Sequence, residues 1–193
     1  MIQCWRSAWG YDFPFYFAQI APFRDYVRGR LNGTLLRESQ LKVAQSVPFT
    51  GMAVLLDIGE RTNIHPLRKK QVGERLAYWA LAKTYGLGSV EYTALIYKSM
   101  QVKGASAVLS FTHTGQGLHV PSGVLNGFEI AGADRIFYPA KARIISRRKQ
   151  IQVSSDKVKH PVAVRYCFHD WCVGTLFGIN GLPVSSFRTD NWK

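Results

Sequence analysis

The periodicity of the chain changes near residue 88, and that change limits the folds open to it. Before it, segments of strand type and helix type alternate. Phe13–Ile20 reads as a strand, Leu35–Ser46 as a helix, residues 52–57 as a second strand, and the segment after Pro66 as a helix ending at Tyr85-Gly86. Met52 to Leu56 is a continuous apolar run, the mark of a strand covered on both faces. In the helix that follows, Val72, Leu76, Trp79 and Ala80 recur at helical spacing, while Arg68, Lys69, Lys70 and Arg75 are assigned elsewhere. This is the rhythm of a layered α/β domain. Two strands alone do not make a stable parallel sheet, so the first half reads as incomplete.

After residue 88 the pattern becomes short β-type segments, near 93–101, 105–112, 127–130, 135–138, 142–145, 150–154 and 161–168. Gly104, Gly115, Gly117, Gly123, Gly132 and Gly174 punctuate them as turn residues. The expected organisation is therefore two units, residues 1–88 and 89–193, the second a β-sandwich-like module.

Composition narrows the function classes. With 47% apolar and 13% aromatic residues the chain is expected to fold into a globular core. No apolar run reaches the roughly 18 residues a membrane span needs, so no membrane association is expected. Residues 1–6 lack a basic segment followed by an apolar one and resemble the middle of an amphipathic helix, not a signal peptide. The net charge of +13 raises the question of nucleic acid. The basic residues are spread along the chain, with local clusters only at 68–70 and 147–149, and no nucleic-acid-binding motif is present. A solvated basic surface is the expected explanation. Cys4, Cys167 and Cys172 have no metal-ligand spacing; free thiols are expected, with a single Cys167–Cys172 disulfide as the other arrangement. Neither a metal nor a cofactor is expected.

One residue stands out as a catalytic candidate. His65 precedes Pro66 on a polar loop between the buried strand and the long helix. Its position is just outside the carboxyl end of a strand, where open α/β sheets keep their active sites. His113, His119, His160 and His169 have no partners at useful spacing and are expected to be surface or structural. A histidine base needs a group to activate and usually an acid to orient it. Asp57 or Glu60 could supply the acid, and Asn63 could hydrogen-bond the ring. No serine is presented in a nucleophile motif; Ser39 and Ser46 belong to the first helix. Gln19, at the end of the first strand, and Arg37, Glu38 and Gln40 on that helix lie near the presumed crevice. Arg37 and Glu38 read either as a helix-surface pair worth well under ~1 kcal/mol or as the lining of a sugar site, with the surface pair favoured. Arg68, Lys69 and Lys70 crowd a helix N-terminus, an arrangement that suits a nearby anion.

Several stretches, in order along nearly the whole chain, resemble the C-terminal part of the sialate O-acetylesterase family of the SGNH hydrolase superfamily. They include Phe13-Pro-Phe-Tyr-Phe-Ala-Gln-Ile-Ala-Pro-Phe23, Leu36-Arg-Glu-Ser-Gln40, Thr50-Gly-Met-Ala53, Asp57-Ile-Gly-Glu60, Ile64-His-Pro66 and Val72-Gly-Glu-Arg-Leu-Ala77. Gly127-Phe-Glu-Ile-Ala-Gly132, Pro161-Val-Ala-Val-Arg-Tyr166 and Gly181-Leu-Pro-Val-Ser-Ser-Phe-Arg-Thr-Asp190 continue the match.

The resemblance implies a partial three-layer α/β/α SGNH-hydrolase (flavodoxin-like) domain followed by the β-sandwich-like module. It also implies hydrolysis of acetyl esters on sugars, on O-acetylated sialic acid or another acetylated glycan. In that chemistry a serine attacks the acetyl carbonyl and the histidine of the Ile-His-Pro motif, His65 here, is the general base. Asn63 stands where many relatives carry aspartate. The serine and oxyanion blocks lie upstream in relatives, so the missing N-terminal part of the same protein is the implied partner. The chain by itself is expected to be inactive, and the full-length protein to be secreted or periplasmic. The alternative is a non-catalytic carbohydrate-binding or interaction module.

Overall fold

A computed structural model describes residues 1–24, 32–112, 117–147 and 149–192. In the first half, β1 (Phe15–Ala18) and β2 (Thr50–Ala53) pair in parallel, from Phe15 opposite Thr50 to Ala18 opposite Ala53. Among the described residues three helices accompany them: α1 (Ile2–Trp9), α2 (Gly33–Ser46) and α3 (Lys69–Trp79), the last extended by a π-helical turn at Ala80–Thr84. Helix α2 begins two residues before its first apolar position because the Asn32 side chain caps it, Oδ1 accepting from the Leu35 amide at 2.9 Å. Helix α3 starts only at Lys69, three residues after Pro66.

Gly51 fixes how α3 lies on the sheet. The Trp79 ring occupies the space a β-carbon at Gly51 would need, and its indole N–H donates to the Met52 carbonyl at 3.0 Å. Val72 and Leu76 pack on a small core of Ala21, Ala53, Leu55 and Ile58. Arg75, assigned away from this face by the sequence pattern, is buried on it. Three positions after Val72 it falls on the same helical stripe, and its guanidinium donates to the Val54 carbonyl at 2.7 Å.

The second half consists of β3 (Ile96–Lys103), β4 (Ser106–Thr112), β5 (Leu118–His119), β6 (Phe128–Ala131), β7 (Phe137–Pro139), β8 (Lys141–Ile145), β9 (Gln150–Ser154), β10 (Ala163–Tyr166), β11 (Phe177–Gly178) and β12 (Phe187–Arg188). They form two four-stranded antiparallel sheets, ordered β3-β4-β9-β8 and β12-β10-β6-β7, and a small pair β11-β5. One apolar core joins the inner faces of both large sheets: Leu109, Ile151 and Val153 from one, Ile130, Val164 and Tyr166 from the other. The seven strands read from periodicity all appear. The two-residue strands β5, β11 and β12 carry too little pattern to be legible. Gly115 and His113 lie outside the described residues.

The three-layer α/β/α SGNH arrangement is not what these residues build. Among the described residues the parallel sheet has two strands of four residues each, and the other ten strands lie in antiparallel sheets. Two strands span only about 5 Å of sheet width, too little to carry a helical layer on each face. The run 52–57 is strand only to Ala53; Leu56 instead enters the larger core with the β residues. Its carbonyl accepts from the Gly174 amide at 2.9 Å, and Gly174 is packed so closely on Leu56 and the Tyr166 hydroxyl that a side chain there would collide. Contacts thus cross residue 88 in both directions.

The expectation of free thiols is corrected for two of the three cysteines. Cys167 and Cys172 form a disulfide with a Cα separation of 5.3 Å, and Cys4 is free and exposed. Cys167 sits in the left-handed region, φ 44°, and that turn returns the chain within bonding reach five residues on. Among the described residues no helix is long and apolar enough to cross a membrane.

Candidate functional site

At the carboxyl ends of β1 and β2 the chain leaves an open recess. Residues 18–21 form one side, Leu36 and Gln40 of α2 a second, and Ile64, His65, Pro66 and Lys69 a third. Gln40 completes the strand end where no further strand does: its Oε1 accepts from the Ile20 amide at 2.8 Å and its Nε2 donates to the Ala18 carbonyl at 3.4 Å. The crevice inferred from the sequence order is therefore present around His65.

His65 is exposed on the rim, next to buried Pro66. Asn63 does not reach the ring; its Oδ1 accepts from the His65 backbone N–H at 2.9 Å, closing an Asx turn that sets the direction of the side chain. Neither carboxylate considered for orienting the ring does so. Asp57 accepts from both terminal nitrogens of Arg75, at 2.7 and 2.6 Å, and Glu60 accepts from the Leu67 amide at 2.6 Å. The imidazole has no hydrogen-bond partner among the described residues, so it is open to a proton from an incoming hydroxyl. None of the residues lining the recess is a serine, threonine or cysteine.

Behind the recess lies a buried polar network. Gln19, 1% exposed, donates through Nε2 to the Arg37 carbonyl at 3.1 Å and to Ser185 Oγ at 2.8 Å. Its Oε1 has no hydrogen-bond partner among the described residues. Arg37 is fully buried, which overturns the surface-pair reading. It donates to Ser186 Oγ at 3.3 Å and to the His169 carbonyl. Glu38 points away from Arg37 and is gripped by Arg188 at 2.9 and 3.0 Å, with Lys42 at 3.3 Å. Burial pulls the Glu38 carboxyl up, but its bonds to Arg188 and Lys42 outweigh this and hold it below the ordinary value. The site residues thus divide: His65 and Gln19 line the recess, Asn63 holds the His65 backbone, and Gln19 and Arg37 tie the wall to the C-terminal segment.

The disulfide-closed loop 167–172 supports the same region. Asp170 Oδ1 accepts from the Thr34 amide at 3.3 Å at the start of α2, and its carbonyl accepts from Phe23 N–H at 3.1 Å. His169, expected to have no partner, has its Nε2 2.7 Å from Glu129 Oε2; the hydrogen bond to that carboxylate raises its pKa. Sequence reasoning missed Asp170, Ser185 and Ser186. Each acts on a residue more than a hundred positions earlier, and local spacing carries no signal of that.

No family model and no curated protein matches the chain. Among solved structures it is similar, with TM-score 0.90 and 43% identity over 100% of its length, to a protein from Xanthomonas citri. That protein is a novel carbohydrate acetylesterase. The chain spans 45% of its length.

Proposed function

We propose that these residues are the histidine-bearing portion of a carbohydrate O-acetylesterase. The observation that carries this reading is the 43% identity to a carbohydrate acetylesterase along the entire chain; the free imidazole of His65 in an open recess supports it. In the proposed reaction a serine from polypeptide beyond these 193 residues attacks the acetyl carbonyl, and His65 takes the hydroxyl proton. Collapse of the tetrahedral intermediate expels the sugar oxygen, which receives that proton, and water then hydrolyses the acetyl-serine by the same path. Asn63 fixes the loop that aims the ring, a role the amide fills without charge.

The proposed substrate is O-acetylated sialic acid or another acetylated glycan. Lys69, on the rim beside His65, offers a cation to a sugar carboxylate. The Cys167–Cys172 disulfide supports an oxidising, extracytoplasmic setting.

Acetate release from 9-O-acetylated sialic acid and from acetylated xylan tests the reading. The 193-residue chain alone is expected to release none. A longer polypeptide that supplies the serine is expected to be active and to lose about a thousandfold or more in kcat on His65→Ala. His65-dependent release by the short chain would overturn the divided site; full activity of the longer His65→Ala protein would overturn the base.

A further inference from the structure

Strand β1 has two edges, and only one is paired. The Phe15 and Gln19 amides donate toward β2, to the carbonyls of Phe49 and Ala53 at 2.8 and 2.9 Å, so the Tyr16 and Ala18 amides point the other way. Gln40 occupies the far end of that outer edge, at the Ala18 carbonyl and the Ile20 amide. Among the described residues no strand lies on it, and the Tyr16 and Ala18 amides have no backbone acceptor there. The opposite side of the sheet is covered: Trp79 and Arg75 donate to the Met52 and Val54 carbonyls.

Beside the open edge stands an uncovered aromatic face. Trp5 and Trp9 of α1 are 50% and 72% exposed, Tyr11 is 60% and Phe49 65% exposed. The rings adjoin through β1 and the turn before it. Trp5 packs on Phe15 with centroids 5.7 Å apart, Phe15 on Phe17 at 6.2 Å, and Phe13 on Trp9 and Tyr11 at 6.5 and 5.6 Å. Buried Arg6 donates to the Phe13 and Phe49 carbonyls at 2.9 and 3.1 Å and fixes this face before any partner arrives.

Charge selects the occupant. The chain carries a net +13, yet Arg6 and Asp12 are the only charged side chains in residues 1–18, and they lie 4.0 Å apart. A nucleic acid or an anionic lipid surface needs exposed cations, and these residues offer none. Aromatic density with charge depletion is the composition of a protein–protein interface core, and an unpaired strand edge takes another strand. A polypeptide of sufficient size exists in the similar acetylesterase, where the larger share of the protein lies outside the 45% that this chain spans.

We infer that the serine-bearing polypeptide of the longer protein docks here, laying an extended segment along the outer edge of β1 with apolar side chains against Trp5, Phe15 and Phe17. One end of that segment then falls beside residues 18–21, which line the His65 recess. The inference rests on the esterase reading for the identity of the partner. Its readout, protection of the strand edge, is separate from hydrolysis.

Residue-resolved amide hydrogen exchange on the 193-residue chain and on a longer polypeptide that includes it tests the docking. In the 193-residue chain the Tyr16 and Ala18 amides are expected to exchange freely, while that of Gln19, bonded within the sheet, is slow. In the longer polypeptide Tyr16 and Ala18 are expected to slow about a hundredfold or more, and Trp5→Glu/Trp9→Glu to reverse most of that. Val102→Glu/Val124→Glu, an equal charge change at exposed apolar sites of the second half, should leave it intact. If the tryptophan variant fails to fold by near-UV circular dichroism, the comparison of the two unsubstituted proteins decides. Unchanged exchange at Tyr16 and Ala18 in the longer polypeptide would overturn the inference. So would protection that appears in the 193-residue chain and grows with concentration, the mark of a second copy on the edge. Protection without acetate release would support the docking and overturn the esterase reading; acetate release without protection would overturn the docking and leave the esterase reading standing.

Discussion

Arg75 holds Asp57 by two hydrogen bonds, 2.7 and 2.6 Å long, with both side chains about nine-tenths buried. This pair joins the segment after β2 to the buried face of α3, and it occupies one of the two acids considered for orienting His65. Removing one partner leaves a buried charge without compensation. Arg75→Ala or Asp57→Ala should therefore cost about 3 kcal/mol, read by urea denaturation with an unchanged m-value.

His65 should behave in the opposite way. It is exposed and its ring bonds to nothing described, so His65→Ala should change the unfolding free energy by less than about 0.5 kcal/mol. In the active, longer protein kcat should collapse. Asn63→Asp, which keeps the acceptor for the His65 amide, should retain activity, whereas Asn63→Ala should lose up to about tenfold, the worth of one hydrogen bond. Paired kinetic and thermal measurements separate these outcomes.

Arg37 joins α2 to residues 169 and 186, and its loss strands the His169 carbonyl and the Ser186 hydroxyl in the interior. Arg37→Ala is expected to destabilise by about 3 kcal/mol. Lys at this position should rescue only part of that, because a single ammonium cannot serve the same set of acceptors. Denaturation of the three proteins side by side checks both statements.

The disulfide closes a short loop, a separation of five residues. Chain-entropy arguments give about 2 kcal/mol for a ring of that size. Cys167→Ser/Cys172→Ser, or reduction with dithiothreitol, should lower stability by about that amount and speed hydrogen exchange at the Thr34 and Phe23 amides, which rest on Asp170.

His169 sets a pH dependence. Its hydrogen bond to Glu129 raises the folded pKa above the ordinary 6.5. A raised histidine contributes its full stabilisation below the unfolded value and loses it as pH rises through the folded one. The ring is more than half exposed, so the contribution should stay below about 1 kcal/mol. The stability gap between the native chain and His169→Gln should be largest near pH 6 and close toward pH 8.5, by thermal unfolding at each pH.

Local pattern made several elements legible. The apolar spacing of Val72, Leu76 and Trp79 defines α3, and alternation with glycine breaks defines the longer strands, because these signals come from neighbours in the chain. His65 was legible too: a histidine before proline at a strand end announces an exposed, restrained loop. Other features left no such trace. Arg75 was misassigned because charge alone suggested solvent, whereas its place on the stripe and the acceptors Val54 and Asp57 allowed burial.

The sequence by itself determined the helices, the longer strands and the position of the candidate base, through periodicity that acts over a few residues. Only the tertiary structure decided that Arg37 is internal, since its acceptors lie 132 and 149 positions away. It also decided that Cys167 and Cys172 meet and that the two-stranded parallel sheet remains narrow beside an antiparallel majority. The physical reason is the same in each case. Burial of a charge, closure of a disulfide and addition of a strand all depend on partners supplied by folding, and the free energy of each resides in the pair rather than in either residue.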